Sequence, residues 1–549
     1  SLELAREDGR TYRGIGSVEG RYEFPFLEGL STTTRLGFDV ASSERRTFNP
    51  TVQQSQVEAG QPGFFSRSTP TETNGVLDSF LNYTTRLDRY ASDIDATAGY
   101  SYEVFTGESP FIEARGLDSD LLGPNGIPSA ELLTSRIDNV RESRLASFFG
   151  RVNYTLLDRY LLTLSVRQDG SSRFGPDNQW GTFPAAALGW RISEESFTDG
   201  MGWLSDLKLR ASWGVSGNQA FSDYLWLSTY RSGDALSRVQ FGNEFVSTIR
   251  PSAVDPDIRW EETTSYNLGL DYGFFGDRVT GSVEYYAKNT DDLIFRVPVA
   301  AGTNLSNFVT TNIGSVENRG FEFSLSTGLL RGGGRGLDWD VSFNASTNRN
   351  ELTRINAVSG GTERILVGGI SGGVGSTIQV LQPGHAVNSF LVYRHIRQNG
   401  KPIYADVNGV DAATGKLTGR PDGNIDEQDL YEDLNGDGVI NQADRAPYEN
   451  PAPDWILGHT SNVGFRNLDL SFTLRAYLGN HVYNNVASNR GNFRELSSTG
   501  SPENLHPSAL EYGFMTPQYF SDVYVEDASF LRMDNLTLGY TIPQFRGIQ

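Results

Sequence analysis

The most closely spaced residues able to do chemistry are Asp433, Asn435, Asp437, Asn441 and Asp444, within DLNGDGVINQAD. Side-chain oxygens fall at positions 1, 3 and 5 of this stretch, Gly438 at 6, the apolar Ile440 at 8 and a carboxylate at 12. That is the spacing of an EF-hand-type Ca²⁺ loop. A hard cation takes six or seven oxygens at about 2.4 Å, and a glycine at position 6 lets the chain turn sharply around it. Val439 would add its carbonyl, and Asn441 a side-chain oxygen or a bridged water. Asp444 stands where glutamate is usual. The spacing predicts one structural Ca²⁺ held by Asp433, Asn435, Asp437, Val439, Asn441 and Asp444. The rival reading is an Asx-rich acidic turn without metal. Upstream, Asp422, Asp426 and Asp429 lie in DGNIDEQD, which resembles the second half of such a loop. Thr418 and Arg420 occupy its first two ligand positions, so a second ion is not expected.

Other catalytic signals are poor. Gly369-Ile370-Ser371-Gly372-Gly373 matches the nucleophile-elbow pattern, yet it sits in a Gly-rich loop without strand-to-helix context. The five histidines have no metal-ligand spacing, and no phosphate-binding GxxxxGK[ST] occurs. Carboxylates are so common that adjacency identifies no acid/base couple. No enzyme is expected. Trp226, Tyr230, Tyr404, Tyr431 and Trp455 are candidates to stack on sugar rings, against anchoring at a membrane rim or packing within loops. A net charge of −21 argues against nucleic acid. The absence of cysteine excludes disulfides and thiolate metal sites.

The elements that must position these residues read as strands. In RLASFFGRVNYTLLDRYLLTLSVR, residues 144–167, Ala146, Phe148, Gly150, Val152 and Tyr154 share one face, with Ser147, Phe149, Arg151, Asn153 and Thr155 on the other. A turn at Leu157-Asp158-Arg159 returns the chain. Tyr266, Leu268, Leu270, Tyr272 and Phe274 alternate with Asn267, Gly269, Asp271 and Gly273 in the same way. Strands of this length, apolar on one face with aromatics near the turn, suit a tilted crossing of a bilayer. No apolar run is long enough for a transmembrane helix. Turns at 157–159, 275–278 and 464–467 are short. Connections at 41–77, 106–142, 218–260, 351–386 and 398–457 are long. The pattern predicts an all-β, large antiparallel transmembrane barrel with roughly sixteen strands here, short periplasmic turns and long extracellular loops. The 398–457 loop would carry the calcium motif.

Several stretches together resemble the SusC/RagA family of TonB-dependent outer-membrane transporters. They are DLNGDGVINQADR, with Pro453 and Gly458 after it; VEDASFLRMDNLTLGY, followed by Pro543; RQDGSSRF, with Phe183-Pro184; WGVSGN; and WEETTSYNLG. The resemblance covers essentially the whole chain. It implies a 22-stranded barrel with an N-terminal plug, energised by the TonB complex and lidded by a SusD-like lipoprotein. Such a protein sits in outer-membrane lipid and imports oligosaccharides or peptides. No plug, TonB box or signal peptide is recognisable, so residues 1–549 are expected to be an incomplete barrel whose TonB contact lies in a missing N-terminal region. A structural or adhesive barrel and a soluble carbohydrate-binding β protein are the alternatives.

Overall fold

Alternating side chains favour a ladder, and the hairpin at its clearest point forms as expected. In the computed structural model, Ala130–Leu156 and Tyr160–Ser171 pair antiparallel from Leu156↔Tyr160 to Leu145↔Ser171. Leu157 and Asp158 take φ of 54° and 57°. Two successive left-handed residues give a reversal that matches the right-handed twist of the flanking strands. A leucine there is costly, and its N–H is held by the Ala91 carbonyl at 2.8 Å. The structure describes residues 5–542 except 59, 61, 89, 90, 124–126, 128, 129, 233–237, 299–307, 333–335, 356–363, 372–376 and 497–503. No helix among the described residues is long and apolar enough to cross a membrane.

Among the described residues sixteen strands belong to one sheet, in which neighbours are nearly all sequence neighbours. The chain divides into two compact units. The first comprises residues 1–188, 214–262 and 309–311, and the second 189–213, 263–308 and 312–549. In the first unit the strands Arg6–Glu23, Leu30–Asn49, Thr71–Leu87, Ser92–Leu117, Ala130–Leu156 and Tyr160–Ser171 pair in turn. Phe64–Ser68 bridges the far ends of the second and fourth of these. In the second unit Phe308–Leu330, Leu337–Ile355, Trp455–Phe465, Leu468–Leu478 and Phe530–Tyr540 pair in turn.

Each unit sorts its faces by chemistry. On one face of the first unit Asn82, Thr84 and Asn153 bond to Asp95, and Thr163 bonds to Asn153 at 2.9 Å. The other face carries exposed Leu81, Phe148, Val152 and Leu164, with Phe148 packed on Tyr100 at 5.1 Å. In the second unit Arg210 holds Asp271 through two bonds of 2.8 and 2.9 Å and also reaches Glu284, to which Asn267 donates. Tyr266 and Leu268, the residues on either side of Asn267, are 57% and 52% exposed. Apolar side chains in continuous exposed rows, backed by a satisfied polar face, are what a sheet between lipid and water requires.

Two expected boundaries were wrong. Residues 41–77 and 106–142 are not simple loops: Leu30–Asn49, Ser92–Leu117 and Ala130–Leu156 run 20, 26 and 27 residues. The apolar alternation stops early, but the backbone ladder continues to Leu117↔Ala130. Backbone pairing needs no apolar face, and about 9–11 residues suffice to cross a bilayer, so the extensions project beyond it. The 218–260 connection falls between Leu204–Asn218 and Glu261–Phe274 as expected, and it contains two short hairpins.

Candidate functional site

The calcium-like loop, Tyr404, Tyr431 and Trp455 lie in the second unit, whereas Trp226 and Tyr230 lie in the first. After Leu337–Ile355 the chain builds a small sheet from Ile365–Gly369, Thr377–Leu381, Ser389–Val392 and Ala446–Tyr448. Tyr393 N–H donates to the Phe520 carbonyl at 2.8 Å, and Asp522 N–H to the Tyr393 carbonyl at 3.1 Å. These bonds bring the 393–448 segment against 481–527, itself closed by the pairing of His481–Tyr483 with Val525–Asp527. Tyr393, Leu430, Tyr431, Ile440, Ala487, Phe514 and Tyr524 form the buried core between them.

The calcium-like loop closes on its own backbone. Asp433 accepts N–H bonds from Gly436 and Gly438 at 2.7 and 2.8 Å. Asn435 and Asp437 accept from Asp437 and Val439, both at 2.8 Å, and Asn441 Nδ2 donates to the Val439 carbonyl. Asp444 is fully buried and accepts from Leu434, Asn435 and Asn441. Gly436 and Gly438 supply the left-handed φ, 74° and 84°, that the turns need. The upstream half-loop repeats this chemistry. Asp429 is also fully buried and accepts from Val407, Asn408 and Asp426 at 2.7, 2.6 and 3.1 Å. Asp426 and Asn441 head equivalent capping boxes that end on Asp429 and Asp444. Gln428 joins the two halves, accepting from Ile440 N–H at 2.8 Å and donating to its carbonyl at 3.2 Å.

For Ca²⁺ the donor set fits in kind: all its atoms are oxygens, and those of Asp433, Asn435 and Asp437 each accept one bond and keep a second lone pair. Asp444 Oδ1 already accepts two. Among the described residues no group of three or more His, Cys, Asp or Glu side chains is arranged to hold a metal ion.

The other candidates separate. Tyr431 is 2% exposed, and Tyr404 packs on His395 and Phe514 at 4.8 and 5.3 Å, so both are core residues. Tyr230 and Trp455 are exposed, and Trp226 keeps a buried Nε1 without a partner. Ser371 accepts from Asn485, and the rest of its glycine run, residues 372–373, lies outside the described residues. What the sequence did not single out is a set of charges beside the core. Arg397 pairs with Asp522 at 2.7 Å, and the Asp522 side chain is 2% exposed. His395 is buried, with Nε2 3.0 Å from the Ile403 carbonyl; desolvation, the largest influence, pushes its pKa down. Arg445 is buried over Phe520 at 4.2 Å, with its Nε unpartnered. No spacing rule would have drawn Arg397 to Asp522, 125 residues away, or Arg445 to Phe520.

In the first unit the motifs RQDGSSRF, FP, WGVSGN and WEETT pack against one another. Phe174 is fully buried on Trp260 at 4.7 Å, Phe183 meets the same indole at 5.3 Å, and a side chain on Gly217 would collide with both Phe183 and Trp260. Arg173 is fixed by Asp223 at 2.8 Å and by the Gln219 carbonyl at 2.8 Å. These residues are architectural.

The TonB-dependent receptor-like β-barrel family model matches residues 4–400. The chain belongs to this family. It is 35% identical to the TonB-dependent receptor SusC of Bacteroides thetaiotaomicron over 98% of the chain and 51% of that protein. It is 31% identical to TonB-dependent receptor P26 of Formosa agariphila over 92% of the chain and 50% of that protein. The chain thus spans about half the length of the curated relatives it matches. The RagAB peptide transporter structure superposes with a TM-score of 0.75 at 21% identity, covering 99% of the chain and 56% of its own, which shows the common fold. The protein is therefore a SusC/RagA-like chain of an outer-membrane β-barrel. The soluble alternative falls with that membership. The family and these relatives are named as receptors, none as an enzyme.

Proposed function

We propose that this chain is the barrel part of a TonB-dependent importer that takes up oligosaccharides or peptides together with a SusD-like surface lipoprotein. The observation that carries this reading is the family match, joined to connections that are folded modules and not bare turns. Residues 218–260 in the one unit, and the paired 393–448 and 481–527 segments in the other, each offer surface for a ligand or a lid protein. Transport would need no bond chemistry from this chain: binding in an outward cavity is followed by energy-coupled displacement of a plug. The test is uptake by cells carrying the full-length gene, with and without a working TonB complex. Uptake should stop without TonB. Deleting the tip of the 218–260 or the 398–457 connection should weaken ligand binding or lipoprotein co-purification while the barrel still assembles. Uptake that persists without TonB, or loop removal that changes neither uptake nor co-purification, would favour the structural or adhesive alternative.

We also propose that the 433–444 loop takes one Ca²⁺ through Asp433, Asn435, Asp437, Val439, Asn441 and Asp444. The ligand spacing and the free lone pairs support it. The ion would neutralise the loop's carboxylates and stiffen the loop, a structural role for which an extracellular Kd of about 10⁻⁴–10⁻³ M suffices. Calcium should raise the protease resistance of the loop in the native protein and not in D437A. Equal resistance in both, with and without chelator, would leave the acidic turn as the correct reading.

A further inference from the structure

A cavity of about 410 Å³ opens in the second unit beside the calcium-like loop, lined by Arg394, Arg397, Glu432, Tyr448 and Asp522 among others. Its back wall is already neutral. Arg397 and Asp522 pair at 2.7 Å, and His395 is buried on the Ile403 carbonyl. The front is different. The Arg394 guanidinium carbon lies 3.7 Å from the Tyr448 ring centre. Among the described residues Arg394 has neither a carboxylate partner nor a side-chain hydrogen bond, and the same holds for the Glu432 carboxylate. Their backbones are tied, Glu432 N–H donating to the Arg394 carbonyl at 2.9 Å. The fold therefore fixes where both backbones meet the cavity wall, and Tyr448 holds the Arg394 guanidinium.

A guanidinium stacked face-on over a phenol is stiff, and its N–H donors lie in its own plane, the arrangement that grips a carboxylate with two parallel bonds. We propose that this cavity binds a small ligand through its carboxylate, taken edge-on by Arg394. Glu432 accepts a donor on the same ligand: an ammonium in an amino acid or peptide, or a hydroxyl in an acidic sugar. The Arg397–Asp522 pair closes the floor and keeps a second anion out. The site does not depend on import, since binding can be measured without TonB.

The test is calorimetric titration of the full-length protein in detergent with two probes, the dipeptide Gly-Gly and glucuronic acid, against uncharged controls, amidated Gly-Gly and glucose. At least one acidic probe should bind, its control should not, and Arg394→Met should weaken binding by about tenfold or more. Arg394→Lys, which keeps the charge but not the fork, should also weaken it, which separates recognition from simple attraction. Loss of affinity in Glu432→Gln for Gly-Gly alone identifies a peptide-type ligand. Equal loss for glucuronic acid identifies an acidic sugar. Unchanged melting and unchanged protease fragments confirm that each variant is folded. Acidic probes that bind no better than their controls, or folded Arg394→Met that binds them as the native protein does, would overturn the proposal.

Discussion

At Asn267, Leu268 and Asp271 the two faces of one strand carry different physics. Leu268 is half exposed with nothing polar to meet, so Leu268→Arg near the bilayer midplane should cost about 2–4 kcal/mol in a refolding assay. From the alternation alone, arginine at Asn267 or Asp271 would be expected to cost less. The structure narrows that to the unengaged positions, because Asp271 is held by Arg210 and Asn267 by Glu284. Asp271→Arg would set like charges together, and it should be as damaging as the lipid-face change. A double-mutant cycle between Arg210 and Asp271 should give a coupling of about 1 kcal/mol, modest because both side chains keep roughly a third of their exposure. Arg445 is the reverse case. Buried on Phe520 without an anion, it should be replaceable by Met with little loss of melting temperature, whereas Arg445→Glu should not fold normally. Alternation was fully legible in the sequence at these positions. Partner choice was not, since Arg210 and Asp271 are joined by register between strands and not by spacing.

The loop elements make a sharper comparison. Asp429 and Asp444 each satisfy three backbone N–H groups, yet only Asp444 lies in a complete ligand pattern. Alanine at either should orphan those donors, costing at least about 1–3 kcal/mol, and should raise hydrogen exchange across residues 405–445. Added calcium should not rescue D429A. The half-repeat was visible in the sequence as DGNIDEQD beside DLNGDGVINQAD; the Gln428 bridge between the halves was not, because glutamine at that point has no pattern of its own. His395 gives these elements a pH dependence. Its pKa is depressed mainly by burial, below the unfolded value of about 6.5. The unfolded chain therefore binds the proton more readily, so stability is fully present above that value and declines as pH falls below it. Exchange protection of residues 393–405 should drop between pH 7.5 and 5.5, and His395→Gln should flatten the change. The strand extensions escaped sequence reading for a related reason: adjacent apolar residues such as Phe111-Ile112 and Leu132-Leu133 break the one-face alternation, and only the ladder records them.

In the whole molecule the apolar faces of the strands are the surface that meets lipid. The exposed rows in both units, the family match and the superposition on a solved relative agree on it. Residues 1–549 contain no cysteine, so a single cysteine introduced here meets no background from this part of the chain. The most direct measurement places a nitroxide in turn at residues 266–271 of the full-length protein in bilayers and compares its accessibility to oxygen, which concentrates in lipid, with that to a water-soluble nickel chelate. The account predicts a period of two, oxygen favoured at Tyr266, Leu268 and Leu270 and the chelate at Asn267, Gly269 and Asp271. A uniform profile, or the chelate favoured at Leu268, would contradict it.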